Sequence, residues 1–172
     1  ATFFAFFDAQ PALGRWFTPS EDTVPRGANV AVLGYDFWQN EFGGRDVLGE
    51  IVHIGNIPAV IVGVAAKGFA GVNDVDPPAV YLPITTYAAA QPSQRAHPTY
   101  YTRYNWGWMN VMVRRKPGVT IEQANADATQ SYRRSWEVNR SQEPQVASID
   151  IAKPFAEISS MRIGNGPNPS LE

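Results

Sequence analysis

Asn29-Val30-Ala31-Val32-Leu33-Gly34-Tyr35-Asp36-Phe37-Trp38-Gln39-Asn40-Glu41-Phe42-Gly43-Gly44 is the stretch on which the fold turns. Residues 29–33 read as a buried strand, an apolar run with nothing polar inside it. The pattern then changes period. Tyr35, Trp38 and Phe42 recur at spacings of three and four, which puts them on one face of a short helix. Gly34 is an acceptable N-cap, and Gly43 or Gly44 suits the left-handed residue that closes a helix.

On the C-terminal side, residues 51–54 and 57–64 are β-branched runs flanking Gly55-Asn56. Two such residues between strands predict a hairpin, because the turn needs positive φ. Pro58 cannot donate to a ladder, so its end of the strand is expected at an edge. Residues 80–82, before Pro83, read as a short strand. Residues 85–106 look the least regular, with Pro92, Pro98 and many aromatics. Residues 108–114 alternate, with Val111 and Val113 on one face, which predicts a strand. Pro117-Gly118 is a turn. Thr120 and Gln123 fit a capping box, and Glu122 complements the positive end of the helix that follows. Ile121, Ala124, Ala128, Tyr132 and Trp136 form its expected core stripe. Residues 146–151 read as a strand, and the tail beyond 163 as disordered.

On the N-terminal side, residues 2–7 hold Phe3, Phe4, Phe6 and Phe7, which predicts a short buried helix. Residues 11–25 read as a loop. Strand–helix–strand units mixed with a hairpin give an α+β fold class.

Composition narrows the function. The 172 residues carry 14 Lys plus Arg and 16 Asp plus Glu, a net charge of −2. That weak acidity argues against nucleic acid, whose binders show a basic face. Apolar residues make up 44%, which excludes wholesale disorder. The absence of cysteine excludes thiolate zinc sites, disulfide scaffolds and a Cys nucleophile. No run approaches the ~20 apolar residues that cross a bilayer. The first residues have no basic n-region and are too short for a signal peptide. Leu171-Glu172 read as a tag remnant. Both ends suggest a piece of a longer protein.

Catalytic signatures are weak throughout. His53 and His97 have no partner at metal-ligand spacing. Asn73-Asp74-Val75-Asp76 starts like a calcium loop, but Pro78 occupies the next ligand position. Residues 63–68 have phosphate-loop glycine spacing, but Phe69 stands where Lys is needed. No Ser lies in a Gly-x-Ser-x-Gly elbow. Glu21-Asp22 and Asp74/Asp76 could supply paired carboxylates for glycosidase chemistry, with Asp74, Asp76 or Glu21 as the acting group, but nothing positions an acid and a base together. No cofactor site is read. One cluster could form an interaction surface: Tyr101, Arg103, Tyr104, Trp106 and Trp108, beside Tyr100. Aromatics with Arg stack on sugars or anchor protein partners. The plainer reading packs them against the sheet. A secreted carbohydrate- or protein-binding module is the alternative function they support.

The order of the motifs then carries a resemblance. Ala12-Leu13-Gly14-Arg15-Trp16-Phe17 precedes Val30-Ala31-Val32-Leu33-Gly34-Tyr35, Phe37-Trp38, Phe42-Gly43-Gly44 and Val47-Leu48-Gly49. Val62-Gly63-Val64, Gly68-Phe69-Ala70-Gly71, Leu82-Pro83 and Lys116-Pro117-Gly118-Val119-Thr120 follow. The series resembles the periplasmic core domain of MacB-like ABC transporter permeases, in the form abundant in acidobacteria. The resemblance implies porter-like β-α-β material with an inserted strand-rich lobe and mixed sheets. Residues 1–170 would be a single fragment of that extracytoplasmic domain. Within it, 16–106 would form the inserted lobe, 107–152 the porter-like strand–helix–strand and 153–170 a tail. It further implies a non-enzymatic domain on the periplasmic face of the bacterial inner membrane, without cofactor or metal. Its partners would be a cytoplasmic ABC ATPase subunit or domain, a periplasmic adaptor protein and the membrane, through flanking helices.

Overall fold

The computed structural model describes residues 2–72, 77–95, 98–104 and 111–159. The chain divides into two units, Ala1–Thr102 and Arg103–Glu172. It is α+β with a mixed sheet.

The first unit is organised around β4 (Ile57–Val64). β2 (Val30–Leu33) lies parallel to it on one side. β3 (Ile51–Ile54) and the short β1 (Leu13–Gly14) pair with it antiparallel. Since β2 holds one edge of β4 over the same residues as β1, β1 and β3 share the other edge. β5 (Val80–Tyr81) extends the sheet antiparallel to β2. The hairpin expected at Gly55-Asn56 is present, with Gly55 at φ 59°. Residues 30–33 are all buried, as the unbroken apolar run requires.

The β2–β4 ladder shifts by one residue between Ala31 and Val32, leaving Val62 between the partners of these two residues. Alternation would place Ile61 and Val64 on opposite faces, being an odd number apart. The extra residue restores the phase. Ile61, Val64, Leu33 and Val47 therefore share one core layer, covered by Tyr35, Phe37, Trp38 and Phe42. Val62 turns to the other layer, with Val30, Val32, Phe4, Phe17 and Ala65.

α2 (Tyr35–Phe42) covers the first layer. It begins at Gly34 and stops at Gly43, which has φ 62° and donates its N–H to Gln39 O at 3.0 Å. α1 (Thr2–Phe6) supplies the second layer, and Phe4 is 1% exposed.

Three expectations for this unit change. The segment expected to be least regular contains α3 (Ile84–Ala90) and a 3₁₀ turn (Pro92–Gln94). Thr85 and Thr86 look β-prone, yet Thr85 Oγ1 donates to Asp22 Oδ1 at 2.8 Å and Thr86 Oγ1 to Ala28 O at 2.7 Å. These long-range bonds and the small face of Ala88 and Ala89 hold the helix. The predicted loop 11–25 contains β1 and a 3₁₀ turn (Pro19–Glu21). The strand before Pro83 stops at Tyr81.

The second unit is built on α4 (Ile121–Gln142). Its capping box is formed: Gln123 N donates to Thr120 Oγ1 at 3.2 Å and Thr120 N to Gln123 Oε1 at 3.0 Å. The expected core stripe is only partly covered, with Ile121 37% and Tyr132 44% exposed. The covered face is offset and more polar. Asn125, Thr129 and Arg133 receive the extended residues 153–159 through bonds to Ile158 N, Ala156 and Pro154 O. The strand predicted at 146–151 is instead a turn followed by α5 (Ile149–Ala152). Ala147 O accepts Trp136 Nε1 at 2.8 Å and Ser148 starts the helix, which outweighs the β-branched pattern. Of the strand predicted at 108–114, residues 111–114 carry no regular structure, and the earlier part lies outside the described residues. So does the tail beyond 163. Among the described residues, no helix is long and apolar enough to cross a membrane.

Candidate functional site

Tyr101 is the one member of the predicted aromatic cluster within the first unit. Its setting is built by Gln94, which is 3% exposed. Gln94 Oε1 accepts from Thr99 N at 2.6 Å and from Tyr100 N at 3.0 Å, so one side chain fixes the turn before Tyr101. Tyr100 faces inward and donates its hydroxyl to Pro25 O at 3.0 Å. Burial raises that hydroxyl's pKa above its ordinary value. Tyr101 packs edge-on against Tyr100, ring centroids 5.4 Å apart, and is itself 46% exposed. The pair thus divides the work, one ring anchoring and the other facing solvent.

Arg103 and Tyr104 belong to the second unit and are exposed, Tyr104 also at 46%. Trp106 and Trp108 lie outside the described residues. The structure therefore describes three of the five predicted surface residues, and all three face solvent.

Asp74 and Asp76, with the calcium-like segment 73–76, lie outside the described residues. Glu21 is committed to a structural pair. Arg15 donates to it through two nitrogens at 2.8 and 2.7 Å, and Thr18 adds its backbone N–H at 2.8 Å and its hydroxyl at 3.0 Å. The Arg15 guanidinium holds the Glu21 carboxyl down at about 2, with further lowering from Thr18. A carboxylate so held stays ionised and cannot serve as a general acid near neutral pH. His53 is exposed in β3, opposite Pro58, and His97 lies outside the described residues. Among the described residues no three His, Cys, Asp or Glu gather as metal ligands.

The aromatic mass of the first unit goes elsewhere. Phe3, Phe4, Phe7, Trp16, Phe69 and Tyr81 form a continuous set of ring contacts under the sheet. Burial pushes the Tyr81 hydroxyl up to about 12. Its O–H donates to Phe69 O at 3.3 Å, which makes it structural. Sequence reasoning missed a cleft of about 140 Å³ beside Asn29, Asn56 and Thr86. No local signal marks it, because its walls come from four separate parts of the chain.

Comparison with known proteins adds three findings. Residues 1–131 match the family described as MacB-like periplasmic core domain. Over 79 residues, 45% of this chain, the sequence is 43% identical to the macrolide export ATP-binding/permease protein MacB of Chlorobaculum tepidum. The match spans 12% of that relative's length. The crystal structure of the periplasmic region of MacB from Actinobacillus actinomycetemcomitans aligns at 16% identity with a TM-score of 0.47. The alignment covers 97% of this chain and 64% of that one.

Proposed function

Because the chain belongs to the MacB-like periplasmic core domain family, a periplasmic part of ABC transporter permeases of the inner membrane, we propose that it couples ATP-driven motion of its parent to export or to partner proteins. The observation that carries this reading is the family match over residues 1–131. The domain itself would be non-enzymatic. Glu21 supports that view, since it is tied to Arg15 and Thr18 rather than left to move protons.

Under this reading ATP is hydrolysed by a cytoplasmic ABC subunit or domain, and the parent is held in the membrane by helices flanking this segment. Residues 16–106 act as the inserted lobe and 107–152 as porter material. Tyr101, Arg103, Tyr104, Trp106 and Trp108 supply contacts to a periplasmic adaptor protein. Half-exposed tyrosines suit that role, because a rigid ring contributes large contact area at low entropic cost.

Reporter fusions in the parent protein test the placement. Alkaline phosphatase joined before Ala1 and after Ser170 is expected to be active at both junctions, with hydrophobic spans beyond each. Inactive fusions, or a soluble secreted parent, would remove the permease reading. The coupling is tested in the reconstituted parent. Deleting this domain is expected to uncouple ATP hydrolysis from export, and unchanged export would reject the coupling role.

A further inference from the structure

β4 outruns β2 at one end. The parallel ladder begins at Val30 opposite Val60, yet β4 starts at Ile57. On that edge, among the described residues, 57–59 have no strand neighbour. Thr86 and Ala90 of α3 line the notch there together with Arg26 and Arg95, forming the cleft of about 140 Å³.

Three properties define what the notch accepts. The first is charge. Arg26 and Arg95 both line it, and among the described residues no carboxylate does. Among the described residues neither arginine has an ion pair. Each is instead oriented by a main-chain carbonyl: Arg26 Nη2 donates to Arg95 O at 2.9 Å, and Arg95 Nε to Ala90 O at 3.0 Å. A guanidinium has five N–H donors, so most remain for an anion. Both side chains line the same notch, so an anion entering it meets two cations. The second is size. Drug-sized ligands occupy about 300–1,000 Å³. The notch is too small for such a substrate and takes a single side chain.

The third is the strand edge itself. Ile61 N donates to Glu50 O at 2.8 Å, so alternation makes His53–Pro58 a non-hydrogen-bonded pair. The backbone of Pro58 then faces the notch, where Pro offers no N–H. An added β-strand would lack a donor there, so recognition falls to side chains. The apolar Ile57 and Pro58 flank the arginines, a surface that favours a protein segment over a free mineral anion.

We propose that this notch docks one acidic side chain of a partner protein, its carboxylate held between Arg26 and Arg95. The proposal stands on the notch alone and does not require the permease reading. It is tested with the whole chain by fluorescence anisotropy, using a labelled Leu-Glu-Leu-Glu-Leu peptide and its Leu-Gln-Leu-Gln-Leu counterpart. The glutamate peptide is expected to bind about tenfold more tightly, with the preference falling as salt rises. Arg95→Gln is expected to abolish the preference. Asn56→Asp is expected to do the same while keeping the fold, since it adds a negative charge to the wall at an exposed turn. Arg134→Gln, on exposed α4 surface, is expected to leave it intact. Equal binding of the two peptides, or a preference that survives both notch variants, would overturn the proposal. Inorganic phosphate binding more tightly than the peptide would also overturn it, by assigning the notch to a mineral anion.

Discussion

Phe4 and Trp16 stack face to face, their ring centroids 3.9 Å apart and their planes 6° from parallel. This contact joins α1 to the segment after β1, and Trp16 Nε1 also donates to Ala9 O at 2.9 Å. Phe4 is buried and touches Phe17, Phe69 and Tyr81 besides. Phe4→Ala is therefore expected to lower stability by about 3–5 kcal/mol, the usual loss for a buried aromatic. Urea unfolding measures it. A loss below about 1 kcal/mol would mean that α1 is not docked in solution.

Gly63 is required for a different reason. A Cβ there would collide with the backbone carbonyl of Arg15, which is fixed because Arg15 N donates to Val62 O at 3.0 Å. Gly63→Ala is expected to push β1 off β4, costing about 1–3 kcal/mol. Gly43→Ala meets no neighbour within 4 Å and bears only the left-handed backbone strain, about 1–2 kcal/mol. Amide exchange separates the two. The Arg15 amide loses protection in Gly63→Ala and keeps it in Gly43→Ala.

The central strand, helix and hairpin were legible because each is specified locally. Residues 30–33 are apolar without interruption, Tyr35, Trp38 and Phe42 repeat at helical spacing, and Gly55-Asn56 can hardly be anything but a turn. α3 was hidden because its support is remote: Thr85 bonds Asp22, which lies 63 residues away in sequence. Residues 146–151 misled because Val146, Ile149 and Ile151 look like a strand while Ser148 starts a helix. The same contrast applies to the sites. Tyr101, Arg103 and Tyr104 are neighbours in sequence and could be singled out. Arg26 and Arg95 are 69 residues apart, and only the fold brings them to one notch.

The Glu21 carboxyl makes a stability prediction that depends on pH. Its folded value, about 2, lies below the ordinary 4.5. Stabilisation from a lowered carboxyl is fully present above the unfolded value and disappears as pH falls through the folded one. Stability is therefore expected to decline between about pH 4.5 and pH 2, and Glu21→Gln is expected to flatten that part of the curve. Urea midpoints across the window compare the two proteins. Parallel curves would show that the Arg15 pair contributes nothing net, the usual fate of an exposed ion pair.

Thr129 holds the extended segment 153–159 on α4 with a reciprocal pair of bonds. Its hydroxyl donates to Ala156 O at 3.1 Å and accepts from Ala156 N at 3.0 Å. Thr129→Val keeps the shape and removes both. Amide exchange at Ala156 is expected to quicken, and Ile158, bonded to Asn125 Oδ1 at 2.8 Å, follows if the segment moves as one piece. Exchange confined to Ala156 would show that Asn125 holds its own end independently. Unchanged exchange at both would remove Thr129 as the anchor.

Tyr100 and Tyr101 divide anchoring from display, and substitution separates these roles. Tyr100→Phe deletes the hydroxyl that bonds Pro25 O and is expected to cost about 1 kcal/mol. Tyr101→Ala removes a ring that is 46% exposed and is expected to shift stability far less. Under the proposed function, Tyr101→Ala and Tyr104→Ala in the parent protein are expected to leave the amount of folded protein unchanged and to weaken capture of the proposed periplasmic adaptor. A pull-down of the adaptor from membranes that carry each variant measures the difference. Equal capture by wild type and both variants would place the adaptor contact elsewhere and leave Tyr101 as surface alone.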